Sequence, residues 1–419
     1  MNLTINPHWS NNIKNTIFYV GISLIKLPIG LLVFPYYSKN LSSYDFAALG
    51  FFGAIATYST PLLALNLYNY YMYSYNQCSE LENKRIARTL ISFLIIYDIF
   101  MATIIWAVLS IYLNLTGSAF NSYPLALVVL LTSSLSMAIG FWNIELRFKN
   151  KSISYFFLNL IILLSVTTLS FIFIVFFRLG ALGKLLPLML VQFVVFITYY
   201  SKYIKNFSLH KPIIIDAIKY SLPLTIAGIV SLPLITLDKF LLERYHDYHE
   251  FGIFMLANEI VNYFALVLGS IFQAFQPDIY RHINNNNKKE LLNTWIIIIV
   301  IFTTTFIIFN VLSPHLINYI TAGKYNTAIK YVNKISFSVL MVTISYIFSQ
   351  SLFALGYTKI TILNSIMFMI ISIILYYFFI RWWKYDGAIY AKALIYMIIS
   401  LVLLLQIKFR NSTFMLKFR

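Results

Sequence analysis

The sequence predicts an all-α integral membrane protein, with about twelve transmembrane helices in two pseudo-symmetric six-helix lobes. Three observations predict this: how apolar the chain is, how its apolar residues are grouped, and a set of landmarks repeated half a chain apart. Of 419 residues, 60% are hydrophobic, 18% aromatic and only 11% charged, whereas a soluble domain carries about 25% charged residues. The mean hydropathy is +0.77. A helix needs about 20 apolar residues to cross ~30 Å of hydrocarbon, and with a short loop each crossing takes about 35 residues. The length therefore fits a dozen crossings and leaves no room for a large catalytic ectodomain.

The apolar runs fall at about 16–36, 45–68, 88–112, 121–144, 153–176, 182–200, 217–241, 252–275, 292–312, 332–353, 360–380 and 387–407. Each is too long and too uniformly apolar for a strand of a membrane barrel, whose segments alternate over about ten residues. Residues 1–15 are polar. The run after them is too long for a signal-peptide core and ends without a small-residue cleavage site, so it reads as the first span. The longer connectors, about 69–87, 201–216, 276–291 and 313–331, are polar, and Asn284 to Asn287 makes a low-complexity turn.

An even number of spans puts both termini on one side. Basic residues such as Arg85, Arg88, Lys211 and Lys288 gather on that side by about two to one, which predicts cytoplasmic termini by the positive-inside rule. The 31 Lys and Arg against 14 Asp and Glu give a net charge of +17. In a membrane chain this reads as basic loops facing anionic lipid, and nucleic acid is excluded as a partner. The single cysteine, Cys78, cannot form an internal disulfide, and no Cys/His cluster has metal-ligand spacing.

Shifting the chain by 205 residues places Leu27-Pro28 on Leu232-Pro233 and Tyr44-Asp45-Phe46-Ala47 on His249-Glu250-Phe251-Gly252. A shift of 207 places Gly180-Ala181-Leu182 on Gly387-Ala388-Ile389, and one of 208 places Lys151 on Lys359. The same landmarks recur in the same order, so the chain divides into lobes at 1–205 and 206–419. Six spans is an even number, hence the repeats are parallel and not inverted.

Several polar residues lie where lipid would penalise them. Lys26 sits about ten residues into the first span, roughly 15 Å along the axis, too deep to reach the head groups. Charges at that depth usually face an interior cavity; the alternative is a structural ion pair with Asp98, at similar depth in the third span. Asp238 and Lys239 are about 100° apart on a helix and cannot share one partner. Glu259 lies beside a stripe of Asn258, Asn262, Gly269, Gln273 and Gln276 at helical spacing, a face that either lines a cavity or hydrogen-bonds between helices. Lys392 enters the twelfth span at a depth that allows either a cavity role or snorkelling. Arg147, Lys149 and Lys151 leave the fourth span at the cytoplasmic mouth, where they meet a phosphate or serve as ordinary positive-inside charge. Tyr68, Tyr70 and Tyr71 could stack on sugars, though nothing in the sequence selects them.

The Pro-containing first span, the acid-Phe-small openings of spans 2 and 8 and the Gly-Ala openings of spans 6 and 12 form a set. With them go Leu237-Asp238-Lys239-Phe240, Ala257-Asn258-Glu259-Ile260 and the run from Trp142 to Lys151. The chain resembles the Wzx-type O-antigen flippases and related polysaccharide exporters of the multidrug/oligosaccharidyl-lipid/polysaccharide (MOP) superfamily. That resemblance implies a V-shaped pair of lobes around a central cavity in the bacterial inner membrane. It implies transport of an undecaprenyl-pyrophosphate-linked oligosaccharide, with an acid at Asp238, no cofactor, and coupling to protons or sodium as an option. The polymerase and ligase of the same pathway would be partners. Two rival functions are a polytopic polymerase or glycosyltransferase, which would need a constellation of acids the short outer loops lack, and a cation-coupled drug exporter, which would want a more acidic cavity.

Overall fold

Helix starts follow side-chain caps written in the sequence. In the computed structural model, which describes residues 7–75, 77–203, 207–355 and 358–414, Ser42 and Asp45 form a reciprocal capping box at the start of α2 (Ser43–Ala64). Ser79 and Glu82 do the same for α4 (Glu80–Thr116). Asp247 accepts from the Glu250 amide to open α10 (Tyr248–Asn284), and Asn287 accepts from the Glu290 amide to open α11 (Lys288–Thr321). Each such cap satisfies a backbone donor that the helix itself cannot. The Asn run between the last two helices thereby has a use, since Asn286 takes the left-handed conformation (φ 52°) and Asn287 the cap.

Along the chain the remaining helices are α1 (Pro7–Asn40), α3 (Leu67–Tyr75), α5 (Leu125–Phe148), α6 (Ser152–Phe171), α7 (Leu182–Tyr203), α8 (Lys211–Ser231), α9 (Pro233–Glu243), α12 (Ile329–Ala354) and α13 (Thr358–Phe414). A π-helical turn, Ile172–Phe176, extends α6. The long α13 is two helices joined at Lys384, where the backbone turns to φ 47°, ψ −120°. The twelve expected spans map onto α1, α2, α4, α5, α6 with its π turn, α7, α8 followed by α9, α10, α11, α12 and the two halves of α13. The protein is an all-α, multi-pass membrane protein.

Three connectors read as polar loops differ from the structure. Within 69–87 lies most of α3, held by Tyr71, which is buried against Phe141 with ring centroids 5.3 Å apart. Residues 276–284 continue α10, and 313–321 continue α11. These ends project past the apolar core, so hydropathy alone sees polar loop where the backbone is still helical. Lys205, Lys417 and Arg419, which contribute to the predicted orientation, lie outside the described residues.

By side-chain contacts the chain forms two compact units, 1–229 and 230–419. In the first, α5 is central, touching α2, α4, α6 and α7, while α1 lies on α6. In the second, α12 is central and touches α10, α11 and α13, with α9 against α13. The boundary falls later than the 205/206 division read from the repeat. The seventh span is interrupted between α8 and α9, and Pro233, whose missing donor costs nothing at a helix start, opens α9. The α8 half packs with the first unit, where Ala217 joins the core and Tyr220 stacks on Tyr73 at 4.8 Å. The α9 half belongs to the second.

The repeated landmarks meet in space within each unit. In the first, the Asp45 carboxylate of α2 accepts a hydrogen bond from the Ala181 amide (2.8 Å), stapling α2 to the turn before α7. Gly180 takes φ 56° there, and a Cβ on it would overlap that carboxylate. In the second unit, the Tyr385 hydroxyl donates to the Asp247 carbonyl (2.9 Å), tying the start of α10 to the bend in α13. Glu250 turns instead to Lys330 (2.6 Å) and the Tyr331 hydroxyl, and Lys334 pairs with Asp386 at 2.8 Å. A Cβ on Gly387 would overlap the Phe379 carbonyl across the bend. Gly387→Ala therefore forces backbone to move and is expected to destabilise the purified protein by about 1–3 kcal/mol, read as a lower melting temperature in detergent.

Candidate functional site

Lys26 lies near the middle of the 34-residue α1. At 100° per residue it falls within about 40° of Ile22, Gly30 and Tyr37. Ile22 is buried beside Tyr155, and the Tyr37 hydroxyl donates to the Thr167 carbonyl of α6 (3.2 Å). This is accordingly the protein-facing stripe of α1. The exposed residues Pro28 and Leu32 lie on its far side, whereas Tyr36 meets Phe171 of α6 edge-on at 5.2 Å. Lys26 is nevertheless exposed. A charge at this depth in a membrane helix ordinarily faces an aqueous or protein-lined space.

No ion pair joins Lys26 to Asp98 among the described residues. Asp98 is 4% exposed in α4, and its two carboxylate oxygens are buried without a hydrogen bond, with the Ser134 hydroxyl of α5 alongside. A buried carboxylate without full hydrogen bonding is costly, and Ser134 is the polar neighbour that offsets part of that cost.

In the second unit the structure brings together two residues that the sequence singled out separately. Asp238, on α9, is 3% exposed, and its Oδ1 has no hydrogen bond. Lys392, on the second half of α13, lies within electrostatic reach of it, as do Tyr376 and Tyr396. The Tyr376 hydroxyl donates to the Leu234 carbonyl (3.3 Å), fixing α13 against α9 at this level. Nothing local in the sequence marks the Asp238–Lys392 pairing, because 154 positions separate the partners; only Tyr396, one turn after Lys392, gives a helical-spacing signal.

The polar stripe of α10 spans an arc of about 60°. Asn262 and Gln273 are exposed, and Asn258 returns its amide to the Phe254 carbonyl (2.9 Å). Gln276 donates to Gln350 Oε1 of α12 (3.2 Å), as does the Tyr280 hydroxyl (3.1 Å). Glu259 is half-buried at the edge of the stripe. An exposed amide face on a membrane helix is tolerated where it meets water or another protein surface, since hydrocarbon would leave its donors unsatisfied.

The basic residues after α5 are engaged locally. Lys149 pairs with Glu145 (2.7 Å) and Glu80 (3.6 Å). Partial burial opposes its charge, but the Glu145 hydrogen bond together with the charges of Glu145 and Glu80 and the neighbouring Tyr75 hold the ammonium above the usual lysine value. Arg147 donates to the Tyr155 hydroxyl (2.8 Å) and covers its ring. Lys151 is exposed just before α6. Of the three tyrosines, Tyr71 is core, and Tyr70 lies edge-on to Tyr220.

The family model described as "Polysaccharide biosynthesis protein" matches residues 13–283, well over half of the chain. The chain belongs to that family. No curated protein matches it. Among solved structures, a lipid II flippase, MurJ, in an inward closed conformation is 16% identical with a TM-score of 0.73, covering 94% of this chain and 87% of its own. An inward-facing multidrug resistance MATE transporter of the MOP superfamily is 14% identical with a TM-score of 0.70, covering 95% and 98%. A MOP superfamily transporter from Pyrococcus furiosus is 14% identical with a TM-score of 0.59, covering 93% of each. At these identities the likeness establishes the fold alone, which this chain shares with those structures. The family match takes in Lys26, Asp98, the run from Trp142 to Lys151, Asp238 and the acid-Phe-small openings of α2 and α10; Lys392 lies beyond it.

Proposed function

We propose that this polysaccharide-biosynthesis family member is a lipid-linked oligosaccharide flippase. It moves an undecaprenyl-pyrophosphate-linked O-antigen or related repeat unit from the cytoplasmic to the periplasmic leaflet by alternating access. The observation that carries the reading is the exposure of Lys26 on the protein-facing stripe of an apolar helix. A pyrophosphate and several sugars cannot enter hydrocarbon unaided, because an unpaired charge costs many kcal/mol to desolvate and each unsatisfied hydroxyl adds a few more. A mid-membrane cation and exposed amides such as Asn262 and Gln273 supply the countercharge and hydrogen bonds, while the lipid tail stays in the bilayer. The protein sits in the inner membrane with both termini in the cytoplasm, and the half-buried Glu259 and Lys392 contribute to the polar passage.

Deletion of the gene in its host tests this. Lipid-linked repeat units are expected to accumulate on the cytoplasmic face of the inner membrane, out of reach of an impermeant periplasmic probe. Units that reach the periplasmic face but stay unpolymerised would instead assign the chain to polymerisation.

A further inference from the structure

On the second unit, the start of α11, the middle of α12 and the end of α13 enclose a cavity of about 410 Å³, open on one side. That is within the ~300–1,000 Å³ range of small-ligand sites. Its walls are almost wholly apolar, with Trp295 as the floor and Ile299, Phe348 and Leu404 around it. The indole Nε1 of Trp295 donates to the Ser351 hydroxyl (3.2 Å), and its ring meets Phe348 edge-on at 5.2 Å. With its polar edge satisfied, Trp295 turns only apolar surface to the cavity.

Two cations also line this cavity, Lys288 and Lys408. Lys288 opens α11, and Lys408 lies within the last two turns of α13, so both stand where membrane helices meet the head-group zone. The lining is almost wholly apolar, so the two lysines border the slot with their aliphatic stems, and their charges at its head-group end give it the charge pattern of an anionic lipid. The length selects which one. From Lys288 to Ile299 the lining runs about 16 Å at 1.5 Å per residue, close to one leaflet's ~15 Å share of the hydrocarbon. That accommodates a single acyl chain and is too short for a polyprenyl chain. We propose that this groove binds an anionic glycerophospholipid of the surrounding bilayer, one acyl chain lying on Trp295 and the phosphate held between Lys288 and Lys408.

The full-length protein reconstituted in phosphatidylcholine vesicles doped with phosphatidylglycerol brominated on its acyl chains provides the test. Bromine quenches tryptophan, and Trp295→Phe isolates the contribution of Trp295 from the other five tryptophans. Trp295-dependent quenching is expected to saturate at low phosphatidylglycerol fractions and to be weaker for brominated phosphatidylcholine. The Lys288→Gln/Lys408→Gln double variant is expected to bind roughly thirty-fold more weakly, from about 1 kcal/mol per lysine. Leu292→Phe, at a half-exposed lining position, should narrow the groove and lower quenching in a protein that keeps its melting temperature. Equal quenching by both brominated lipids, a double lysine variant that behaves like the parent, or displacement by undecaprenyl phosphate at lower concentration than by unlabelled phosphatidylglycerol would each overturn the assignment.

Discussion

Replacing Lys26 with alanine is expected to lower surface polysaccharide by about ten- to hundred-fold while the protein remains at normal abundance in the membrane. A charge-assisted hydrogen bond is worth about 1.5–3 kcal/mol, and each 1.36 kcal/mol is a factor of about ten in rate. Because Lys26 is exposed and pairs with no carboxylate among the described residues, its removal should leave helix contacts intact, and α1 should still lie on α6 through Ile22 and Tyr37. Lys26→Arg keeps the cation and is expected to restore most of the polymer, whereas Lys26→Gln should resemble alanine. Unchanged polymer in Lys26→Ala, at matched protein abundance, would take this residue out of the transport path.

The second large effect is on stability. Lys392→Met leaves Asp238 buried at 3% exposure with Oδ1 unsatisfied and its nearby cation gone. Breaking a buried charge pair from one side costs about 3–5 kcal/mol, and the partial exposure of Lys392 puts the expected loss near the lower end. The double variant Asp238→Leu/Lys392→Met removes both charges and should recover much of that loss. Thermal unfolding of the two singles and the double in the same detergent gives the coupling directly. Additive losses in the double variant would mean that the two charges do not stabilise one another.

Much of the architecture was legible because the membrane imposes one solution. Runs of about 20 apolar residues must be helices when hydrocarbon leaves backbone groups no other partner. The repeat was legible because its landmarks recur in the same order, and in the first unit one of them, Asp45 with Gly180-Ala181, is a tertiary staple. Other features were not. The break before Pro233 falls inside a run read as one span, 217–241, and which unit each half joins depends on contacts such as Tyr220 on Tyr73. The bend at Lys384 replaces a loop expected between two spans, and no proline or glycine stands at that residue to announce it. At the candidate site, depth along the helix identified Lys26 and Asp98 as unusual, the family resemblance pointed to Asp238, and Lys392 stood at a depth that allowed either a cavity role or snorkelling. Depth could not show that Lys26 is open, that Asp98 is closed off, or that Asp238 and Lys392 share a neighbourhood, since those depend on azimuth and on partners distant in sequence. Lys149 carries the opposite lesson: its position suggested a substrate contact, and the structure gives it two carboxylates of its own.

The most direct measurement is leaflet transfer by the purified protein. Proteoliposomes carrying a lipid-linked oligosaccharide of the host are treated with an impermeant glycosidase. Without the protein, about half of the lipid-linked sugar should stay protected in the inner leaflet, since a charged, hydroxylated head group does not cross hydrocarbon unaided. With it, nearly all should become cleavable, and the Lys26→Ala protein should transfer it at least about tenfold more slowly. Protection that stays at the protein-free level with intact, folded protein would contradict the flippase account.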